Sequence, residues 1–155
     1  IVHLFGSDGD SVKIFFSENL NKEPFQPHPK NPSLSLVHAR PAGNPFLFNG
    51  NSYRATQICS PSYGYGMNIY KINHLSISDF SESLCFSIKP DWFPELTGCH
   101  TLNLVDNIFV TDGRLRVNSP NQKLTQSLQG NVYKSTDKDV FTNNFFNILL
   151  EKYKK

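Results

Sequence analysis

The sequence predicts an all-β fold, part of a β-propeller, followed by a C-terminal α-helix. Three observations lead there. Short apolar runs alternate with polar residues at a period of two and are separated by turn formers. Aromatic residues make up 13%, with 13 Phe and 6 Tyr, against only 18% charged residues, a balance that suits pleated sheets better than a solvated helical bundle. The strand-like segments also fall into two units of roughly 40 to 50 residues, the spacing of propeller blades. Proline-bearing stretches at 24–32 and 90–94 separate the units. A plain antiparallel sandwich satisfies the same periodicity.

Taken in order, "IVHLF" and "SVKIFFS" flank Gly6-Ser7-Asp8-Gly9-Asp10 and read as a first hairpin. In "PFLFNGNSYRATQI" the pair Asn49-Gly50 accepts the positive φ angles of a two-residue turn, joining "FLF" to "SYRATQI". "MNIYKI" alternates strictly, with Met67 and Ile69 on one face and Asn68, Tyr70 and Ile72 on the other. "HTLNLVDNIFVTDGRLRV" supplies three further short strands, punctuated by Asp106-Asn107 and Asp112-Gly113. The partial propeller therefore covers residues 1–117 and a polar linker 118–137. In 138–155, Phe141, Phe145, Ile148, Leu149 and Lys152 recur at helical spacing, an amphipathic helix with Asp137 or Asp139 at its start.

The 155 residues suffice for one domain with a real core. The chain begins at Ile1 and its one methionine is Met67, so it reads as a fragment of something longer. A net charge of +2 is too weak for nucleic-acid binding, which needs dense neutralisation of phosphates. The charge is uneven: from Arg114 onward 8 Lys+Arg stand against 3 Asp+Glu, a net +5, and residues 1–113 carry the remaining −3. No apolar run approaches the roughly 20 residues of a transmembrane helix. Cys59, Cys85 and Cys99 are odd in number and lack metal-ligand spacing, which predicts buried free thiols.

The residues with chemistry cluster in the middle of the chain. Arg40 sits in "ARPAG", where Pro41 and Gly43 constrain the backbone and display a five-donor guanidinium suited to hydroxyls, carboxylates and phosphates. The plainer role for Arg40 is to brace carbonyls or pair with an acid such as Asp112. In "YRATQ", Tyr53 and Gln57 share a face, and Gln57 offers both a donor and an acceptor. In "YGYGMN", Gly64 and Gly66 open space beside Tyr63 for stacking on an apolar sugar face, or else mark a turn or bulge. His100, in "GCHTLN", has no HxH or HxxxH companion, which disfavours a metal site and leaves it as a hydrogen-bonded or funnel-lining residue. The short segments expected nearest an axis, "ARPAG" and "CHTLN", carry no carboxylate pair of the kind glycoside hydrolysis needs; Asp91 and Glu95 around Trp92 are the one pair that flanks a loop. Neither a P-loop nor a dinucleotide fingerprint is present, and no cofactor is expected.

The ordered motifs "VKIFFSENL", "FQPHPKNPSLSLVHARPAG", "LFNGNSYRATQ", "YGYGMNIYKI", "IKPDW" and "GCHTLNLVDNIFVTDG" resemble the C-terminal half of a propeller-like domain. That domain stands at the N-terminal side of plant glucosamine inositolphosphorylceramide transferases and occurs in many bacterial proteins. The resemblance spans residues 1 to about 117. It implies about two to two and a half blades of a five-bladed propeller, similar to those of arabinanase-, invertase- and levansucrase-type enzymes, with a carbohydrate-facing funnel. It places His100 on a late blade and Arg40 and Gln57 on the preceding one. The expected function is a carbohydrate-recognising accessory domain for a glycan or glycolipid head group, with Arg40, Tyr53, Gln57, Tyr63, Asn68 and His100 as the binding set. The alternatives are an incomplete glycoside hydrolase or transglycosylase-type propeller whose catalytic blades are missing, or a structural fragment without function. Either leaves strand edges for a missing propeller half or a partner chain to cover.

Overall fold

The computed structural model describes residues 1–7, 11–31, 33–35, 39–92, 94–106 and 108–115, and every described element is a strand. The predicted linker and C-terminal helix lie outside these residues. A four-stranded antiparallel sheet comprises β1 (Val2–Ser7), β2 (Ser11–Ser17), β3 (Gln26–Pro27) and β4 (Ser33–Ser35), with β1, β3 and β4 all pairing with β2. A second sheet runs in the order β5 (Phe46–Phe48), β6 (Asn51–Ile58), β7 (Gly66–Leu75) and β8 (Phe80–Ile88). Two ladders follow: β9 (Leu96–Gly98) pairs with β12 (Arg114–Leu115), and β10 (Leu102–Val105) with β11 (Ile108–Thr111).

The predicted hairpins form. Val2 faces Ser17 and Ser7 faces Val12 across the first, and Val12 and Ile14 are fully buried. Asn49 and Gly50 take φ of 47° and 72°, the left-handed pair that a tight two-residue turn requires, and Phe48 faces Asn51 across it. Two features differ from the expectation. The proline stretch 24–32 does not separate units: Pro27 sits in β3 beside Phe15 of β2, an edge position where a missing N–H costs little. Asn31 closes the same stretch onto β2, its side-chain amide donating to Ile14 O (2.6 Å) while its Oδ1 accepts from Ile14 N (2.8 Å), a substitute for a ladder pair. The second feature is β8, which period-two reading does not reveal. Its pairing with β7 shifts register between Ile69 and Tyr70 and again between Ile72 and His74, and each shift flips the apolar phase.

The β5–β8 sheet is the middle layer. On one face Phe46, Phe48, Tyr53, Met67, Ile69 and Phe86 form a dry cluster with Ala42, Cys99 and Leu102, and Leu104 and Phe109 of the β10–β11 hairpin close over it. Phe109 meets Phe46 edge-on at 5.5 Å and Phe48 at 5.6 Å. On the other face Ile72 and Phe80 join Val12, Ile14 and Ala39, with Phe5 of β1 against Phe80 at 5.8 Å.

That second face is not wholly apolar. Arg54 is 2% exposed and both Nε and Nη2 donate to the Glu82 carboxylate at 2.5 Å. The guanidinium lies over Tyr70 (5.2 Å) and Phe5 (5.8 Å). A bidentate pair sandwiched by rings is how a charge is tolerated between two sheets. Burial, then the Glu82 charge, pushes the Tyr70 phenol up against a smaller opposing effect of Arg54. Two histidines serve the same seam: buried His28 accepts from Lys30 N at Nδ1, which leaves Nε2–H to donate to Ser76 O at 2.9 Å, and His3 Nε2 approaches the same carbonyl at 3.2 Å. The three cysteines are free, yet only Cys99 is buried; Cys59 is exposed and Cys85 intermediate, which corrects the expectation of three buried thiols.

Candidate functional site

Residues 40–42 run beside β6 without forming a continuous strand. Pro41 bridges Thr56, Gln57 N donates to Arg40 O (2.8 Å), and Ala42 N donates to Ala55 O (3.0 Å). Leu102 N then donates to Ala42 O (2.7 Å), so the segment beginning at Cys99 lies next to the segment beginning at Ala39. The two starts match. A small residue is buried to 1% exposure in each, Ala39 and Cys99, and the next residue, Arg40 or His100, turns outward.

These outward residues converge on Tyr63. The Arg40 guanidinium lies 5.4 Å from the Tyr63 ring centre, and the His100 imidazole meets the same ring edge-on at 5.9 Å and 80°. Tyr63 itself is 53% exposed. Among the described residues no carboxylate pairs with Arg40, so its charge is offset by a ring face alone.

His100 is held from behind by Asp112, whose Oδ1 accepts from both His100 N and Thr101 N at 2.8 Å. Asp112 Oδ2 lies 2.5 Å from His100 Nδ1, but the ring N–H is not aligned on it, so this is an electrostatic contact rather than a directed bond. Burial pushes the Asp112 carboxyl up, yet the two backbone N–H groups, the Thr101 hydroxyl and the His100 charge outweigh it and hold the group below the usual carboxylate range. Neighbouring Cys99 is no nucleophile: burial, then the charges of Asp112 and Asp91, push its thiol up to about 12.

The Tyr63 loop is fixed in place by glycines and one arginine. Gly64 has φ +63°, and a Cβ there would stand 3.0 Å from His100 Cδ2; a Cβ on Gly98 would meet Gly64 O at 2.4 Å. Arg114 donates to Tyr63 O (2.9 Å), Ser62 Oγ (2.9 Å), Thr97 O (3.0 Å) and Thr97 Oγ1 (3.1 Å), binding the loop to the β9–β12 ladder. Gly66 has a different task, since a Cβ there would collide with Ile88 O at 2.5 Å, and it allows β7 and β8 to approach.

Of the six residues expected from sequence, Arg40, Tyr63 and His100 come together. Gln57 stands behind them, buried, with Nε2 donating to Pro41 O at 3.2 Å. Tyr53 and Asn68 do not join: Tyr53 stacks on Phe46 at 5.7 Å inside the dry cluster, and buried Asn68 accepts from Ser87 Oγ at 2.6 Å. The suggested Arg40–Asp112 pairing is replaced by His100–Asp112. Asp112 and Arg114 were missed as site residues, although the hairpin register carries the signal: with Leu102 opposite Thr111, the next position pairs Thr101 with Asp112. Asp91, Trp92 and Glu95 are exposed. A crevice of about 400 Å³ opens on the other side of Pro41, lined by His3, Phe5, Asn44, Pro45 and Arg54 among others. Among the described residues, no group of three or more His, Cys, Asp or Glu is placed so that it could hold a metal ion, and no helix is long and apolar enough to cross a membrane.

Comparison with known proteins matches residues 3–89 to the family described as glucosamine inositolphosphorylceramide transferase 1, N-terminal. The stretch includes Arg40 and Tyr63 and stops short of His100. The rice (Oryza sativa subsp. japonica) glucosamine inositolphosphorylceramide transferase 1 is 37% identical over 74 residues, which is 46% of this chain and 10% of that protein. Its Arabidopsis thaliana counterpart is 31% identical over 110 residues, 59% of this chain and 14% of that protein. The chain thus spans a small fraction of the length of these relatives. No solved structure matches. The match over more than half of its residues establishes that this chain belongs to the glucosamine inositolphosphorylceramide transferase 1 N-terminal family.

Proposed function

We propose that the chain is part of a carbohydrate-recognising domain associated with a glycolipid glycosyltransferase, and that Arg40, Tyr63 and His100 form the centre of its binding surface. The observation that carries this reading is the convergence of an imidazole and a guanidinium that meets no carboxylate among the described residues on one exposed tyrosine ring. A ring face stacks on the apolar face of a sugar, and flanking donors take its hydroxyls or an attached phosphate. The names of the relatives specify glucosamine and an inositolphosphoryl group, both of which fit such chemistry. Layering of the β1–β4 sheet, the β5–β8 sheet and the β10–β11 hairpin, with Arg40 and His100 at matching starts, supports radial stacking as in a partial five-bladed propeller.

Saturation-transfer NMR with glucosamine and myo-inositol 1-phosphate tests the assignment. Arg40→Ala is expected to weaken binding about tenfold or more, from loss of a charge-assisted hydrogen bond. Identical wild-type and mutant profiles would reject it.

A second reading is favoured by the His100–Asp112 contact, since an imidazole backed by a carboxylate is also the arrangement of a general base. Under that reading the chain is one part of a hydrolase or transglycosylase-type propeller. Steady turnover of an aryl glycoside panel that is lost in His100→Gln would support catalysis over binding.

A further inference from the structure

The two ring nitrogens of His28 have opposite roles. The residue is 2% exposed and lies where the 28–31 turn of the first sheet meets the turn between β7 and β8. Nδ1 accepts from Lys30 N at 3.1 Å, and Nε2–H donates to Ser76 O at 2.9 Å. Only the neutral ring with its proton on Nε2 satisfies both partners. His3 reaches the same carbonyl from β1 at 3.2 Å, and β2 presents the Phe16 ring to both imidazoles, 6.4 Å from His3 and 6.3 Å from His28. Ser76 also organises its own turn: its N–H donates to Asp79 O (2.9 Å), and its Oγ accepts from Asp79 N (2.9 Å) and Ser78 N (3.3 Å). One carbonyl therefore ties a well-bonded turn of the second sheet to the first.

We infer that His28 makes this seam acid-sensitive: a proton on Nδ1 sets a donor against the Lys30 N–H, opens the 28–31 turn and loosens the β1–β4 sheet from the β7–β8 turn. The closed seam holds the ring neutral, so the loosened form binds one proton more and gains population as pH falls. Imidazole is the side chain whose charge changes between about pH 8 and 5. The surrounding titratable groups do not supply this effect. His3, from β1, uses Nε2–H toward Ser76 O, a bond that a second ring proton leaves in place. Lys30 pairs with Asp79 across the seam at 3.5 Å. The Phe80 N–H holds the Asp79 carboxyl below the usual carboxylate range, against a smaller opposing effect of burial and with help from Lys30 and His74. That ion pair therefore persists through the same interval, and a charge on His74 favours it. A proton on His28 adds to the positive charge of His3, Lys30 and His74, of which Asp79 offsets a part. The seam is separate from the Arg40–Tyr63–His100 surface, and its acid response does not depend on what that surface binds.

Heteronuclear NMR on the full 155-residue chain tests this. Near the top of the imidazole range, at about pH 7.5, the His28 ring is expected to carry its proton on Nε2. Between there and about pH 5, the hydrogen-exchange protection factor of the Lys30 amide is expected to fall about tenfold or more, the size of one lost hydrogen bond, in step with the His28 ring signals. His28→Gln keeps an amide donor for Ser76 O but does not titrate, and is expected to abolish the fall. His3→Gln and His74→Gln are expected to retain it. Because the wild-type ring signals need no variant, the test is decisive even where His28→Gln folds poorly. A proton on Nδ1 at the higher pH, equal protection at both ends of the range, or a fall that persists in His28→Gln overturns the inference. Loss of the fall in His3→Gln or His74→Gln also overturns it and moves the trigger to that residue.

Discussion

Arg40 and Arg54 both lie over a tyrosine ring, at 5.4 Å and 5.2 Å, yet they have opposite fates. Arg54 points between two sheets, is gripped at two nitrogens by Glu82 and is 2% exposed. Arg40 follows a buried alanine at the start of its segment, points outward and meets no acid among the described residues. One arginine is used up in holding the fold, and the other is left with donors to spend on something else. A guanidinium over an aromatic ring is therefore no guide to function; the carboxylate that does or does not complete it is.

The contrast is broken most severely by Glu82→Ala, which strands a buried cation. The expected loss is about 3–5 kcal/mol in urea unfolding. Replacing both partners with apolar residues, Arg54→Met with Glu82→Leu, is expected to recover most of that loss; if the double variant is as unstable as the single, the pair contributes more than its own neutralisation.

Gly64→Ala comes next, at about 1–3 kcal/mol, because a side chain at φ +63° is strained and its Cβ presses on His100. Chemical-shift changes confined to Tyr63 and His100 would locate the damage at the site, whereas shifts spread through β5–β8 would place it in the core.

A smaller effect comes from acid. The Asp112 carboxyl is held below its ordinary value in the folded state, so its contribution is complete above the unfolded value of about 3.9 and is lost as pH falls through the lower folded value. Wild type is expected to lose stability faster than Asp112→Asn across that window, and parallel pH profiles would contradict it. The smallest effect is that of Arg40→Ala on folding, expected within about 0.5 kcal/mol in the same urea assay. A larger loss would move Arg40 into Arg54's class and remove the basis of the proposed site.

The hairpins were legible because their turns are written locally: Asn49-Gly50 needs positive φ, and the structure has it. Arg40 and Tyr63 were legible as chemistry because each stands beside a proline or glycine that frees it from the sheet, and His100 because it follows Gly98 by two residues at the start of a strand group. Tyr53 and Asn68 had the same polar functionality, but period-two reading assigns a residue to a face without saying what covers that face, and both are covered. Strand β8 escaped because two register shifts interrupt the alternation. The roles of Asp112 and Arg114 escaped because their partners, His100 and the Ser62–Tyr63 turn, are distant in sequence and meet only through the pairing of β9 with β12 and β10 with β11.

The three thiols carry a practical consequence. Cys99 is sealed and stays protonated, while Cys59 lies in the open two residues from Gln57, itself bonded to the carbonyls on either side of the Arg40–Pro41 link. With Cys85 changed to serine, a maleimide dye would attach at one address, at the rim of the proposed surface, and a ligand arriving there would announce itself in the dye's emission.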